Sequence, residues 1–321
     1  MQKKILYIVN SDWFFISHRL AIAQKTLSLG YQVHLATSFS DKKTKLKSMG
    51  FKTHELKLDR FETNFFKSIN GFVKILKIIY EVKPDIIHAI TIKPVIFSGI
   101  ASRIYRKANF VASISGLGYV FSNKTIGSKI IKIIVKSLYK ISLKQKKIKI
   151  IFQNEKDEST LTQLCNLKSR DKVLIPGSGV DLNIFKPNKN YHDSNIILFA
   201  SRLLKSKGVL EFLSCAKEFQ ITKVKFVIAG KYDKNNPDSI PRELIESAVE
   251  EDIIEYYGEV IDIKNLILKS KILILPSFYG EGLPKILIEA AACGIPIITT
   301  DHPGCRDAII RNKTGLLVPI K

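Results

Sequence analysis

The sequence predicts an α/β protein made of two doubly wound parallel sheets, and three observations carry that prediction. Short apolar, β-branched runs alternate with helix-period patterns along the first half of the chain, and the alternation restarts after a polar segment. At 321 residues the chain is also longer than one hydrophobic core usually serves, so two domains are expected.

In the first half the runs 4–9, 31–36, 51–56, 85–89, 110–114 and 148–152 read as buried strands. Between them, 17–29, 42–49, 65–82 and 94–105 read as helices. The polar stretch 181–193, with Pro187 and several asparagines, separates the halves. Strands then recur at 195–200, 224–229, 253–257, 272–275 and 296–299, alternating with helices at 208–219, 241–250, 261–269 and 284–292. The expected division is 1–183, a linker at 184–194, and 195–321. No closing helix follows the strand-like 315–319, so the second domain reads as incomplete. In open α/β sheets ligands bind beyond the carboxyl ends of the strands, so both domains are expected to offer such loops to a shared cleft.

Composition excludes several classes. The hydrophobic fraction of 45% and charged fraction of 25% belong to a globular protein. The apolar run 5–9 is cut short by Asn10, Ser11 and Asp12, too early for a signal-peptide core, and no run approaches the ~20 residues of a membrane span. Cys165, Cys215, Cys293 and Cys305 form no Cys-x-x-Cys pair and read as reduced thiols of a cytoplasmic protein. The histidines lack metal-ligand spacing, so no metal is expected.

The net charge of +22 points to an anionic partner, a membrane surface or a biased composition. Residues 86–154 contain no carboxylate, and within them Lys132, Lys136, Lys140 and Lys144 recur every four positions among Ile130, Ile131, Ile134, Leu138 and Ile141. A helix there would carry an apolar and a basic face. Two readings fit: a face lying on anionic lipid, or a core-packed helix with a solvated lysine face.

The stretch 275–289, Leu-Pro-Ser-Phe-Tyr-Gly-Glu-Gly-Leu-Pro-Lys-Ile-Leu-Ile-Glu, joins a strand end, a glycine loop and a helix opened by Pro284. Such a helix start exposes backbone N–H groups and suits a diphosphate. Glu281 and Glu289 are eight positions apart, ~12 Å along a helix, too far to share a proton but well placed for hydroxyls at two ends of a long ligand. After the strand ending at Ala200, Arg202 and Lys207 supply cations for the same diphosphate. Each feature alone also fits a plain reading, a capping Glu281 or a solvent-facing Arg-Lys pair.

Together, Ser201-Arg-x4-Lys-Gly208, Phe226-Val-Ile-Ala-Gly230, Tyr257-Gly258, Leu275-Pro-Ser277, Glu281-Gly-x-Pro-x4-Glu289, Ala292-Cys-Gly-Ile-Pro296 and Gly315-Leu-Leu-Val318 resemble the retaining family 4 glycosyltransferases of GT-B fold and their Glu-x7-Glu motif. Gly179-Val-Asp-x3-Phe-x-Pro187 is similar to that family's interdomain junction, so the likeness spans nearly the whole chain. Gly230 stands alone where Gly-x-Gly is commoner. The resemblance implies that Arg202 and Lys207 stabilise the donor diphosphate as the sugar departs, and that Gly282 and Leu283, ahead of Pro284, offer N–H groups to the donor. It further implies that Glu289 binds the nucleotide ribose and Glu281 the transferred sugar, without metal or cofactor.

On the acceptor side the family pattern is kept in part. Asn10-Ser-Asp-Trp-Phe-Phe-Ile-Ser-His18-Arg has aromatics where many members have a glycine pair. Trp13, Phe14 and Phe15 are placed to stack on a sugar, touch lipid or pack under the next helix. His88 and Lys93 match family positions, whereas Ile90 replaces a common second histidine. Ser115 replaces a histidine near the reacting sugar, ahead of the flexible Gly116-Leu-Gly118. His18, His88, Lys93, Ser115, Gly116 and Gly118 are therefore the acceptor-side candidates. The form is most similar to the branch that extends polyprenyl-diphosphate-linked saccharides for O-antigen, capsule or glycoprotein glycans. It implies a UDP-sugar donor carrying a hexose or N-acetylhexosamine, a polyprenyl-diphosphate-linked acceptor, and peripheral association with the anionic inner face of the cell membrane. A GT-B sugar-nucleotide epimerase would need a paired acid-base set, which the sequence does not display. A nucleic-acid binder would explain the charge, but no nucleic-acid module is recognisable.

Overall fold

The computed structural model describes residues 2–58, 65–117, 126–188, 195–233, 236–260, 262–278 and 282–320, with the side chains of 65–67 and 126–132 also outside the description. The chain forms two compact units, Met1–Ser178 and Gly179–Lys321. The division falls ahead of the expected boundary at 183, and Phe185, within the expected linker, packs against the second unit's core.

The first unit carries a seven-stranded sheet, wholly parallel, in the order β3-β2-β1-β4-β5-β6-β7. The strands are β1 (Lys4–Ser11), β2 (Gln32–Ser38), β3 (Lys52–Glu55), β4 (Ile86–Ile90), β5 (Asn109–Ile114), β6 (Ile148–Phe152) and β7 (Lys172–Leu174). Helices α1 (Asp12–Ser28), α2 (Lys43–Ser48), α3 (Phe65–Val82), α4 (Ile92–Tyr105), α5 (Ile126–Leu143) and α6 (Glu155–Cys165) complete it. Helices cover both faces, so the central strands read as unbroken apolar runs: Leu6, Tyr7, Ile8 and Val9 of β1 are all buried. One face packs Leu6, Ile8, Ile87, Ala89, Phe110 and Ala112 beneath α3, α4 and α5; the other packs Tyr7, Val9, Val33, Leu35 and Ile90 beneath α1.

The second unit carries a six-stranded parallel sheet, β10-β9-β8-β11-β12-β13. Its strands are β8 (Ile196–Ala200), β9 (Lys225–Ala229), β10 (Glu255–Tyr256), β11 (Ser270–Leu275), β12 (Ile297–Thr300) and β13 (Gly315–Val318). Its helices are α7 (Val209–Glu218), α8 (Arg242–Glu250), α9 (Ile263–Leu268) and α10 (Lys285–Ala292). In each sheet the direction of winding reverses once, between β1 and β4 and between β8 and β11, the crevice where doubly wound sheets take ligands.

Three local differences from the expected elements have physical causes. Helix α1 begins at Asp12 rather than 17, because the buried Asp12 carboxylate accepts from Trp13 N at 2.8 Å and from Ser40 N and Oγ at 2.8 and 2.9 Å. The aromatics thus lie on a helix: Phe15 is buried between Tyr7 and Phe51, while Trp13 is 40% exposed. Helix α6, too polar to show a strong apolar stripe, is announced by its cap, Asn154, which accepts from Asp157 N at 2.8 Å ahead of an acidic first turn. Strand β7 is a three-residue edge whose pattern is too short to register in the sequence.

Burial holds three histidines of the first unit neutral. His34 Nδ1 lies 2.9 Å from His54 Nε2, and His34 Nε2 lies 2.9 Å from Gln32 Oε1. Burial and the neighbouring imidazole lower the His34 pKa to about 4, burial lowers that of His54, and burial of His88 lowers its value to about 3. The unfolded chain binds these protons near pH 6.5, where the folded chain refuses them. Stability is therefore complete above about pH 6.5 and falls as pH drops toward 4, at about 1.4 kcal/mol per unit for each fully depressed group. Urea unfolding at pH 7 and 5 is expected to show a lower midpoint at pH 5, with the difference reduced in His34→Gln. An unchanged midpoint would contradict this.

Candidate active site

In the second unit the loops that follow β8 and β11 are bound to each other. Ser206, on the 3-10 turn Lys205–Lys207, accepts through its carbonyl from Phe278 N at 3.0 Å and from Ser277 Oγ at 3.2 Å. Gly208 follows at φ +80°, and a Cβ there would lie 2.3 Å from Pro276 O. Only glycine permits both that dihedral and that approach. Ser277 is fixed from its other side, because its carbonyl accepts from Thr300 Oγ1 at the end of β12. Lys207, half-buried, is thus carried on a turn whose position the post-β11 loop dictates.

Arg202, two residues past β8, donates Nη1 to Asp233 Oδ2 at 2.6 Å, and both side chains are mostly buried. The ion pair orients the guanidinium and leaves Nε and Nη2 with no partner among the described residues. Asp238 in the same post-β9 loop accepts from Ser206 N at 2.9 Å and from Ser206 Oγ. Neither aspartate was legible as a partner from the sequence, since both lie outside helices and strands and find Arg202 and Ser206 only in three dimensions.

Gly282 and Pro284 are buried and Leu283 half-buried in the segment leading into α10, where Pro284 stands at the cap position rather than inside the first turn. Glu289 is 6% exposed and accepts from Lys285 Nζ at 3.1 Å, one helical turn back. Burial raises its pKa and Lys285 opposes that rise. Glu281 lies outside the described residues. Arg202, Lys207 and the segment 282–284 thus stand on loops at the carboxyl ends of adjacent β8 and β11, and Glu289 follows on the helix.

In the first unit the reversal point between β1 and β4 is closed by Thr91 Oγ1 donating to Asn10 Oδ1 at 2.5 Å. Thr91 sits at φ 74°, ψ 167°, a region that glycine tolerates and a β-branched residue enters only under constraint. Lys93 occupies the first turn of α4, and Ser115 and Gly116 come directly after β5, with Gly116 at φ +116°. Gly118 lies outside the described residues. His88 is not at the strand end: it is buried within β4, 5.2 Å from the Tyr7 ring, with Nε2 2.8 Å from Ser113 Oγ. His18 stacks on Phe14 at 4.2 Å on α1, with Nδ1 3.2 Å from Phe14 O.

Comparison with known families meets these two units one by one. Residues 4–154 match the glycosyl transferase 4-like model, and residues 180–321 match the model of glycosyl transferases group 1. The chain is a glycosyltransferase, 4-like in its first unit and of group 1 in its second. The transferase is 29% identical over 290 residues to the N,N'-diacetylbacillosaminyl-diphospho-undecaprenol alpha-1,3-N-acetylgalactosaminyltransferase of Campylobacter jejuni, covering 86% of this chain and 75% of that one. It is 24% identical over 281 residues to the UDP-Gal:alpha-D-GlcNAc-diphosphoundecaprenol alpha-1,3-galactosyltransferase of Escherichia coli, covering 80% and 68%. Among solved structures, Anabaena HepE in complex with UDP and glucose superposes with a TM-score of 0.77 at 17% identity, covering 99% of this chain and 86% of that one. Both units of the transferase are Rossmann-like domains of the GT-B kind. Among the described residues no helix is long and apolar enough to cross a membrane.

Proposed function

We propose that this glycosyltransferase moves a hexose or N-acetylhexosamine from a UDP-sugar to a saccharide carried on a polyprenyl diphosphate, with retention and without metal. The observation that carries the donor assignment is the oriented Arg202, with N–H groups that no described residue takes up, and a following turn that bears Lys207, on loops tied together at the reversal point of the second sheet. As the C1–O bond to the β-phosphate breaks, negative charge grows on the diphosphate, and fixed cations lower that state more than the ground state. The acceptor hydroxyl forms the new C1–O bond on the same face and passes its proton to the departing phosphate oxygen, releasing UDP. Gly282 and Leu283 N–H groups would hold the diphosphate, Glu289 the ribose and Glu281 the transferred sugar. The acceptor class is supported by the names of the Campylobacter and Escherichia relatives.

Thermal melting with a panel of UDP- and GDP-sugars tests the donor. One UDP-sugar is expected to stabilise the parent, and Glu281→Ala and Lys207→Ala are each expected to reduce that shift. Equal stabilisation of all three proteins would move the donor elsewhere.

Membrane association at an anionic inner leaflet is supported by the mixed outer face of α5. Ile133, Ile134 and Ile141 are exposed there at 64%, 53% and 47%, close to exposed Lys140 and Lys144, while Tyr139 and Leu143 turn inward. Exposed isoleucines among lysines suit the headgroup boundary better than bulk water. Each basic residue contributes on the order of 1 kcal/mol there. Replacing Lys140, Lys144, Lys146 and Lys147 by Glu is therefore expected to weaken binding to phosphatidylserine vesicles by at least about 10³-fold in sedimentation. Undiminished sedimentation would refute it.

A further inference from the structure

The first unit holds a buried positive charge that no carboxylate among the described residues neutralises. Arg19, midway along α1, is 4% exposed. Its Nη1 donates to His18 O at 2.9 Å and to Ser178 Oγ at 3.4 Å, and no carboxylate pairs with it among the described residues. The ionisable side chains that bear on it are neutral at pH 7: the Tyr7 phenol, and His88, whose imidazole is buried against Ser113. Burial lowers the Arg19 pKa to about 10, which still leaves it charged.

A guanidinium removed from water without a counter-ion is among the costliest features a fold can keep, and a merely structural position would be filled better by an apolar side chain of similar length. The segment from β4 to α5 supplies no acid, because it falls within the carboxylate-free residues 86–154. On α1 itself, Asp12 is engaged with Ser40. Elsewhere in the same unit Ser115 Oγ, just past β5, is also buried without a hydrogen-bond partner among the described residues.

We propose that Arg19 anchors an anion subsite in the first unit, and that its ligand is the phosphate or diphosphate group through which the acceptor saccharide is joined to its lipid. The planar fork of arginine matches two phosphate oxygens at once, and a ligand bound there restores the missing counter-charge. The choice of lipid-linked source rests on the acceptor class proposed above; the anion site itself rests on Arg19 alone.

The test uses the full chain carrying Arg202→Ala and Lys207→Ala, so that the second unit's cations do not report. Calorimetric titrations with geranyl diphosphate and with inorganic pyrophosphate are compared before and after adding Arg19→Met. Geranyl diphosphate binding is expected to weaken at least 10-fold, and Arg19→Lys, which keeps the charge but loses the fork, should fall between. Because the unliganded site bears an unpaired charge, Arg19→Met should melt at the same temperature as its background or higher. A lower melting temperature with unchanged binding would make Arg19 structural and overturn the site, as would equal affinity in all three proteins. Arg19-dependent binding of pyrophosphate but not of geranyl diphosphate would overturn the lipid assignment. Should no lipid-linked saccharide be elongated by the parent enzyme while Arg19-dependent binding of geranyl diphosphate persists, the proposed reaction fails and the subsite stands.

Discussion

Lys207→Ala is expected to lower kcat/KM for sugar transfer by about 10²–10³, with most of the loss in kcat. The charge that Lys207 meets grows as the sugar leaves, so its removal raises the barrier more than it weakens the ground-state complex. Its placement is unusually fixed, because the turn Lys205–Lys207 is held by Ser277, Phe278 and Asp238 and ends at a glycine pressed on Pro276. The double variant with Arg202→Ala should lose far less than the product of the two single losses, since both cations serve one diphosphate. Steady-state kinetics with donor and acceptor varied separately would check this. A loss confined to KM would mean that Lys207 binds the donor uniformly and plays no part in its departure.

Gly230→Ala is expected to cost about 3 kcal/mol or more and to remove donor binding with it. A Cβ at this position would stand 1.7 Å from the carbonyl oxygen of Ser201. The clash is with backbone, so no rotamer change relieves it. Ser201 is also bonded through its N–H to Ala229 O at 3.0 Å, and Gly230 is bonded to Gly258 O at 2.7 Å and to Tyr256 Oη at 2.8 Å. Forcing these strand ends apart displaces Arg202, which follows Ser201 directly. Gly258→Ala is the control: its φ of +64° disfavours a side chain, but nothing lies within 4 Å, so about 1 kcal/mol is expected. Chemical denaturation of the two variants, with UDP titrated into each, distinguishes a local backbone clash from a general intolerance of substitution. Equal melting and equal UDP affinity would show that the close approach at Gly230 is not needed.

These expectations divide unevenly between what the residues announced and what folding added. The two sheets were legible because a strand covered on both faces must be apolar throughout, so runs such as Ile5 to Val9 and Phe226 to Ala229 stand out without any partner in view. Lys207, Gly208 and Pro284 were legible for a related reason: glycine and proline mark where a strand ends and a helix starts, and strand ends are where a doubly wound sheet presents its ligands. The outer face of α5 was half legible. The four-residue spacing revealed a helix, but which isoleucines face inward depends on how α5 meets α4, where Arg103 Nη1 donates to Ile141 O at 2.6 Å.

By itself the sequence determined the class of fold, the order of its elements and the family, because these follow from periodicities and motifs confined to short stretches of chain. Tertiary structure alone decided that Asp233 orients Arg202 across 31 positions, that His88 is sealed inside its sheet, and that Arg19 is buried with no counter-ion among the described residues. The reason is physical: local pattern depends on neighbours a few residues away, whereas the charge state and reach of a polar side chain depend on what the rest of the chain brings beside it and how much water it shuts out.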